Sequence, residues 1–340
     1  MKTIHLAVAG LGRIGKIHLN NLSRLIPGAE IVAAMDPLEK SLQTAREYGI
    51  PTLCSNMDEL LALDGLDAVV ICSPTDTHAD FTVRALEAGL HVFCEKPLDL
   101  SLQKVDEIVK VAENSGRKLM VGFNRRFDPD FEKVRELVAT GSVGDPQIIR
   151  ITSRDPGPPP ISYIQRSGGI FLDMTIHDFD MARYISGKEV KEVFAAATVK
   201  VDREIGEAGD YDTAVITLVF EDDSLAVIDN SRKAVYGYDQ RLEVFGSAGM
   251  ALAENNFPNN HRLYSKSGVS GDLPLHFFLE RYQESYRREM QLFIEALTEG
   301  KPVPAGARDG LMSIATGLAA KKSAELNRPV QIDEIMNELK

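Results

Sequence analysis

The sequence lacks a long hydrophobic run, an excess of basic residues and a set of paired cysteines. No apolar stretch among its 340 residues reaches the length of a membrane-spanning helix, so we do not expect a membrane protein. Its 38 lysines and arginines face 50 acidic residues, for a net charge of -12, which argues against a nucleic-acid surface or an anionic membrane as a partner. Cys54, Cys72 and Cys94 lack the spacing of a metal site and predict free thiols in a reducing, cytoplasmic compartment.

The first third of the chain alternates short apolar runs with amphipathic stretches. The apolar runs predict strands over 4–10, 30–36, 66–74, 91–97 and 118–123. Helical periodicity predicts helices over 13–25, 37–49, 78–89 and 101–116. Such alternation is typical of a parallel sheet with helices on both faces, so we predict an α/β domain over 1–122.

The pattern changes after about residue 123. A predicted helix over 129–140 and a proline-rich loop at 156–160 precede strand-like runs between 191 and 268, which include a predicted hairpin in "VFEDDSLAVI". Strands without intervening helices indicate a large, mostly antiparallel open sheet. We therefore predict a second, α+β domain over 123–340, with its two closing helices as candidates to pack back on the first domain.

The stretch "GLGRIG" separates the first predicted strand from the first predicted helix. It matches the G-x-G-x-x-G pattern of dinucleotide-binding Rossmann domains. In that pattern Gly10 permits a tight turn, Gly12 lets a pyrophosphate approach the backbone, and Gly15 lets helix and strand pack closely. The helix that follows presents free N–H groups and a positive dipole end to the phosphates.

Asp36 ends the second predicted strand, 21 residues after Gly15. A carboxylate at this place can accept hydrogen bonds from the hydroxyl groups of the adenosine ribose. Its charge would repel a 2′-phosphate, and the next residues, 37–39, supply no arginine to hold one. The sequence therefore favours NAD over NADP.

Further candidates for cofactor binding lie in the glycine turn and after the predicted strands over 66–74 and 91–97, because ligands bind at the carboxyl ends of parallel strands. These residues are Arg13, Ile14, Ser73, Pro74, Thr75, His78, Glu95, Lys96 and Pro97. Two of them have equally good structural interpretations. Arg13 either flanks the pyrophosphate or is solvated, and His78 either contacts the cofactor or makes an N-terminal cap contact.

Lys96 follows a core-like strand on the ligand side of the predicted sheet. A lysine there can donate a hydrogen bond to a substrate oxygen and stabilise developing alkoxide charge. The alternative interpretation is a structural ion pair between Glu95 and Lys96.

The stretch "GGIFLDMTIHDFD" (168–180) places Asp173 and His177 four residues apart, on one face of a predicted helix. They could be metal ligands, a catalytic pair, or a capping aspartate and a core histidine. A metal site needs a third ligand, yet Asp178 is expected on another face and this half of the chain has no cysteine, so we predict no metal. Oxidation of an alcohol needs a base; an imidazole titrates near neutrality, and Asp173 can orient the substrate or support positive charge on His177.

With "GLGRIG", "EKP" and "GGIFLDMTIHDFD" together, the chain resembles the Gfo/Idh/MocA oxidoreductase family almost end to end. "VGFNRRFDPDF" and "YGYDQRLEVFG" are similar to members that oxidise myo-inositol to scyllo-inosose with NAD. The resemblance implies a catalytic trio, Lys96, Asp173 and His177. It also implies substrate contacts from Arg126, from Asp155 and from Tyr236 on the open sheet, and a homotetramer assembled through the C-terminal sheet.

Two other functions suit the same fold. One is a dehydrogenase or reductase, with NAD or NADP, that acts on an aldose or another sugar derivative. The other is a non-catalytic dinucleotide-sensing regulator, since fold alone does not fix function. A regulator would have no need of a lysine, an aspartate and a histidine at the three catalytic positions, which favours an enzyme.

Overall fold

The computed structural model describes residues 3–339, so Met1, Lys2 and Lys340 of the predicted domains lie outside it. The chain divides into two compact units. The first comprises the described residues up to Phe127 together with Glu284–Ile314 and Leu339, and the second comprises Asp128–Gln283 and Ala315–Glu338. The sequence placed the boundary between residues 122 and 123, and the structure adds a late segment of the chain to the first unit.

Six strands form the sheet of the first unit. They are β1 (Ile4–Ala9), β2 (Ala29–Met35), β3 (Thr52–Cys54), β4 (Ala68–Ile71), β5 (His91–Glu95) and β6 (Leu119–Gly122). All neighbours pair in parallel, in the order β3-β2-β1-β4-β5-β6. This order identifies a Rossmann fold, in which ligands bind where the strand order reverses, beside the carboxyl end of β1.

Five helices follow the first five strands, and a 3₁₀ turn, Asn124–Phe127, follows β6. The helices are α1 (Arg13–Arg24), α2 (Glu39–Glu47), α3 (Met57–Leu61), α4 (Thr75–Glu87) and α5 (Leu102–Ser115). The short β3 and α3 were not predicted, because three and five residues are too few to display a period. The strands β4 and β6 are buried along their whole length, as both faces of a parallel sheet are covered by helices.

The second unit is built on a seven-stranded sheet. Its helices up to residue 281 are α6 (Pro129–Ala139), α7 (Ile161–Ser167), α8 (Ile176–Ser186), α9 (Arg203–Glu207) and α10 (Phe278–Arg281). Its strands up to residue 270 are β7 (Pro146–Arg154), β8 (Val190–Thr198), β9 (Thr213–Phe220), β10 (Leu225–Ser231), β11 (Asp239–Gly246), β12 (Met250–Ala253), β13 (Leu263–Ser265) and β14 (Gly268–Ser270). The strands β13 and β14 pair only with each other within the described chain.

The chain ends with α11 (Gln283–Glu299), α12 (Ala307–Leu326), β15 (Val330–Gln331), α13 (Ile332–Met336) and a 3₁₀ turn, Asn337–Leu339. The large sheet has the order β12-β11-β7-β10-β9-β8-β15, and every pair is antiparallel except β7 with β10. This confirms the mostly antiparallel sheet. The predicted hairpin is confirmed as β9 and β10, with Asp223 in the left-handed region at the turn.

One face of the large sheet carries exposed apolar side chains. Side chains alternate between the two faces along each strand, and directly paired residues of neighbouring strands share a face. The register therefore places Phe194, Val215 and Phe245 on the same face. All three are exposed, whereas the residues that alternate with them are buried. Among residues 3–339, no helix has both the length and the apolar character needed to cross a membrane.

Candidate active site

The glycine turn after β1 has the geometry of a phosphate cradle. Gly10 has a φ of +94°, and a Cβ there would lie 2.5 Å from the backbone nitrogen of Ser73. A Cβ on Gly15 would lie 1.9 Å from the carbonyl oxygen of Gly10, so helix and strand approach too closely for any side chain. No heavy atom of the described chain lies within 4 Å of a Cβ built on Gly12. The first-turn N–H groups of α1 have no acceptor inside the helix, so the open space at Gly12 and these donors fit a pyrophosphate.

Asp36 anchors this turn from the end of β2. Its Oδ2 accepts a hydrogen bond of 2.8 Å from the backbone N–H of Leu11, and its Oδ1 accepts one of 2.9 Å from that of Leu38. The residue is only 7% exposed. Because each carboxylate oxygen can accept two hydrogen bonds, Asp36 keeps acceptor capacity for a ribose while it shapes the glycine turn.

His78 joins the turns after β4 and β5. Its Nδ1 lies 2.7 Å from the carbonyl oxygen of Pro97, and its Nε2 lies 2.8 Å from that of Ser73. Two carbonyl oxygens can only accept, so both ring nitrogens carry a proton. Burial acts to lower the pKa of His78, but Cys94 and the two carbonyls outweigh it and raise the pKa to about 9. His78 thus connects the two turns through hydrogen bonds to both. It lies in α4, which begins three residues earlier than predicted.

The turn after β5 carries Glu95, Lys96 and Pro97. The peptide bond between Lys96 and Pro97 is cis, and Lys96 is half-buried. Oε1 of Glu95 lies 2.9 Å from Nε2 of His18, a buried residue of α1. His18 was missed by the sequence analysis, because a histidine 77 residues away gives no local signal. The three cysteines, by contrast, are free thiols, as predicted.

Arg126 is buried in the first unit, in the 3₁₀ turn after β6. Its Nη1 donates to the carbonyl oxygen of Pro304 at 2.8 Å, and its Nη2 lies 2.9 Å from Oδ1 of Asp309. These contacts use part of the five-donor guanidinium that the sequence analysis assigned to substrate. Asp309 was not predicted, since it lies far along the chain at the start of α12.

In the second unit, the stretch that contains Asp173 and His177 is not one continuous α-helix. Ile170–Met174 forms a π-helix, and α8 begins after Thr175. The expectation of a regular helix with the two residues on one face was wrong in this respect. Between residues 170 and 183 only Asp173 and His177 reach solvent. A π-turn is frequent at functional sites, and here two half-buried polar side chains, Asp173 within it and His177 just after it, interrupt an otherwise buried segment.

Asp173 is held by two residues that the sequence analysis missed. Tyr163 in α7 donates a hydrogen bond of 2.9 Å from its hydroxyl to Oδ1 of Asp173. Nη1 of the buried Arg232 lies 3.8 Å from Oδ2 of Asp173, and its Nη2 lies 3.4 Å from Asp210. Oδ1 of Asp210 accepts a hydrogen bond of 2.9 Å from the backbone N–H of Ile170, where the π-helix begins.

Asp178 is fully buried and accepts a hydrogen bond of 2.9 Å from the side chain of Asn230, away from the two exposed residues. The described residues that cluster closely enough to hold a metal ion are His18, Glu95 and Glu289. Neither Asp173 nor His177 belongs to that cluster.

Tyr236 lies in the loop between β10 and β11 rather than on a strand. Its hydroxyl donates to Oδ2 of Asp239 at 2.6 Å and accepts from Nη1 of Arg154 at 3.1 Å. Burial, and then the charge of Asp239, raise the pKa of Tyr236. Asp155 lies beside this loop, where its backbone N–H donates to the carbonyl oxygen of Ser231.

Comparison with known proteins identifies the family of the chain. The sequence model of the Gfo/Idh/MocA oxidoreductase family, with an NAD-binding Rossmann fold, matches residues 4–123, and the model of the family's C-terminal domain matches residues 131–252. The chain belongs to this family. It is an oxidoreductase, and its cofactor is NAD, for which the open glycine turn provides the space.

Relatives within the Gfo/Idh/MocA family match over their full length. Myo-inositol 2-dehydrogenase of Thermotoga maritima is 49% identical over 98% of this chain and 100% of that protein. Inositol 2-dehydrogenase of Rhizobium meliloti is 45% identical over 97% of this chain and 99% of that protein. The structure of scyllo-inositol dehydrogenase from Lactobacillus casei, with bound NAD(H) and scyllo-inositol, matches with a TM-score of 0.91 and 32% identity over 98% of this chain and 100% of that one.

The predicted catalytic residues of this Gfo/Idh/MocA oxidoreductase are divided between its two units. Lys96 belongs to the first unit, and Asp173 and His177 belong to the second. Lys96 lies in the turn after β5, Asp173 lies in the π-helix, and His177 lies in the first turn of α8.

Proposed function

We propose that this protein is a cyclitol dehydrogenase that oxidises myo-inositol to scyllo-inosose (2-keto-myo-inositol) with NAD. The observation that carries the proposal is the full-length similarity, at 49% and 45% identity, to two proteins named as inositol 2-dehydrogenases. The two half-buried polar residues Asp173 and His177, at the junction of the π-helix and α8, have the chemistry that such a reaction needs.

In the proposed mechanism His177 is the general base. A neutral imidazole takes the proton of the substrate hydroxyl, which allows the carbinol carbon to release hydride. Bound NAD supplies the hydride acceptor. Asp173, fixed by Tyr163 and Arg232, orients the substrate and stabilises positive charge on His177.

Lys96 is proposed to donate a hydrogen bond to the reacting oxygen and to stabilise its developing negative charge. The remaining contacts of the cyclitol ring are assigned to three residues, Arg126, Asp155 and Tyr236. Tyr236 is suited to this role because Asp239 and Arg154 hold its hydroxyl in place.

The cofactor is proposed to lie along the carboxyl edge of the first sheet. Its pyrophosphate contacts the turn formed by Gly10, Gly12, Arg13, Ile14 and Gly15, and its ribose contacts Asp36. The nicotinamide end is assigned to the region of the turns after β4 and β5, with the end of β5 and the first turn of α4: Ser73, Pro74, Thr75, His78, Glu95, Lys96 and Pro97.

We further propose a cytoplasmic homotetramer that assembles through the large sheet. Free thiols fit a reducing compartment. The exposed apolar face that carries Phe194, Val215 and Phe245 is the kind of surface that buries itself against another copy of the chain.

Appearance of NADH absorbance tests the proposal. Myo-inositol, scyllo-inositol, chiro-inositol and glucose are each incubated with NAD and with NADP. The expected result is turnover of myo-inositol with NAD in preference to every other combination. Turnover of glucose alone would replace the cyclitol by an aldose. No turnover of any substrate, with NAD binding intact in a thermal-shift control, would contradict the proposed substrate class.

A further inference from the structure

A buried cluster of three titratable side chains lies behind the turn that carries Lys96. His18 of α1, Glu95 at the end of β5 and Glu289 of α11 each offer one atom, and these atoms all lie within 4.8 Å of one another. All three residues belong to the first unit. His18 and Glu289 are fully buried, and Nε2 of His18 lies 2.9 Å from Oε1 of Glu95.

The walls of the cluster are largely apolar. The ring of His18 packs edge-on against Phe93, with centroids 5.2 Å apart, and against Tyr286 at 5.8 Å. A Cβ on Gly122 would lie 3.0 Å from Cδ and Oε2 of Glu95, so the absence of a side chain on β6 leaves just enough room for this carboxyl group.

The titratable groups that interact with Glu289 include His18 and Glu95 of the cluster and the thiol of Cys72. The thiol of Cys72, at the end of β4, has a pKa well above its ordinary value because of burial and then the charges of Glu95 and its other acidic neighbours. Cys72 is therefore a neutral thiol and supplies no charge to the cluster.

Two ionised carboxylates at this separation would be strongly destabilising. In an apolar interior both desolvation and mutual repulsion favour protonation of one of them. Neither carboxyl oxygen of Glu289 has a hydrogen-bond donor among residues 3–339. Glu95, by contrast, is partly accessible and already pairs with His18. Burial, and then the charge of Glu95, hold the pKa of Glu289 well above its ordinary value.

We propose that Glu289 is a positioning residue that stays protonated at neutral pH and donates a hydrogen bond to Glu95. This hydrogen bond fixes the turn that presents Lys96. A protonated carboxyl group is a donor as well as an acceptor, so Glu95 is held from one side by His18 and from the other by Glu289. The effect on catalysis, through Lys96, rests on the proposed function; the buried proton does not.

The presence of the buried proton on Glu289 is tested without substrate. Thermal unfolding of the wild type and of Glu289→Gln is measured as a function of pH. The amide keeps a neutral donor but cannot ionise. The native wild type retains a proton that the unfolded chain releases above the ordinary glutamate pKa of 4.5. Wild-type stability therefore falls relative to Glu289→Gln as the pH rises above 4.5, until the buried carboxyl group itself loses its proton. The exposed Glu299→Gln, on the same helix, should follow the wild type.

Parallel pH profiles of the wild type and Glu289→Gln would mean that Glu289 is ionised in the native state, and would overturn the buried proton. Elemental analysis of the purified protein is the second test. One equivalent of a divalent metal that is retained by the wild type and lost in Glu289→Gln would replace the proton by a cation and would also overturn it.

The positioning role is tested by kinetics, with Glu289→Leu beside Glu289→Gln. Loss of the donor in Glu289→Leu should lower kcat by roughly 10- to 100-fold, with a smaller change in the KM for NAD, because a displaced Lys96 acts on the transition state. Glu289→Gln should restore most of kcat. Equal kcat for both variants and the wild type would overturn the positioning role, even if the pH profiles establish the proton.

Discussion

Arg232 and Asp173 form an ion pair beneath the surface of the second unit, with 3.8 Å between Nη1 and Oδ2. Arg232 is 1% exposed, and its guanidinium also faces Asp210. The carboxylate of Asp210 accepts a hydrogen bond from the backbone N–H of Ile170, so one arginine links the start of the π-helix to the half-buried Asp173.

We expect Arg232→Met to destabilise the folded protein and to lower the catalytic rate. Removal of one partner from a buried ion pair leaves uncompensated charge, at a cost of about 3 kcal/mol. Because Asp173 loses its support, kcat should also fall by roughly tenfold. Denaturant unfolding and steady-state kinetics measure the two effects. Arg203→Met is the matched control, since Arg203 pairs with Glu207 at a side-chain exposure of 92%; a loss as small as in this control would refute the role.

His177→Ala should abolish most of the turnover and leave NAD binding nearly intact. General-base catalysis is worth roughly 10²- to 10⁴-fold, which sets the expected fall in kcat. The wild-type kcat/KM should also decline at acid pH as the imidazole becomes protonated, and the variant should lack this decline. NAD titration and pH-dependent kinetics provide the readouts, with the exposed His261→Ala as control. Unchanged turnover in His177→Ala would exclude His177 as the base.

Asp36→Ala should weaken NAD binding and reduce the preference over NADP. The change removes a ribose acceptor, worth about 2 kcal/mol for a charged hydrogen bond, and it releases the backbone of Leu11 and Leu38. Asp36→Asn retains one acceptor oxygen and should give an intermediate NAD affinity. Fluorescence titration with both cofactors measures the ratio, and Asp64→Asn, at an exposed position, controls for lost charge. An unchanged NAD/NADP ratio would argue against the ribose contact.

The parts of the site that could be predicted from sequence are those encoded locally. The glycine turn follows from three residues, Gly10, Gly12 and Gly15, whose spacing reports the backbone directly. The parallel sheet of the first unit follows from the alternation of strands and helices. Both depend on short-range patterns that a sequence displays.

The parts that could not be predicted depend on distant segments. Arg232 lies 59 positions after Asp173, and no local sequence pattern around either residue indicates that they form an ion pair. The helix α11 gives a clear helical pattern and was a candidate to pack back on the first domain, but its place there depends on distant packing of residues such as Phe293 into the core of that sheet. The π-helix was missed because its side chains mimic the period of an α-helix over so short a stretch.

Charge on the open face of the large sheet should disrupt assembly. Phe245→Glu and Val215→Glu place carboxylates at exposed apolar positions that share one face. If this face is the contact between copies, burial of either charge is unfavourable, and light scattering after gel filtration should detect a smaller mass for the variants than for the wild type. Leu326→Glu, an exposed position at the end of α12, should leave the mass unchanged. A tetramer in all variants would place the interface elsewhere.

The two hydrogen bonds from the His78 ring to the carbonyl oxygens of Pro97 and Ser73 predict a loss of stability at alkaline pH. The pKa of His78 is raised from 6.5 to about 9 in the folded protein, so the imidazolium stabilises the native state fully below pH 6.5. As the pH rises through about 9 the folded protein also loses this proton, and the contribution disappears. At roughly 1.4 kcal/mol per pKa unit, the full contribution is about 3 kcal/mol.

The measurement is the difference in unfolding free energy between the wild type and His78→Gln as a function of pH. The wild type should hold its full advantage in mildly acid solution and lose it progressively toward alkaline pH, because glutamine remains neutral throughout. His5→Gln serves as control, since the side chain of His5 is 45% exposed and its contacts, with Glu30 and the carbonyl oxygen of Gly65, lie at the surface. A difference independent of pH would mean that His78 is neutral in the native state, and one of its two carbonyl contacts would then lack a proton.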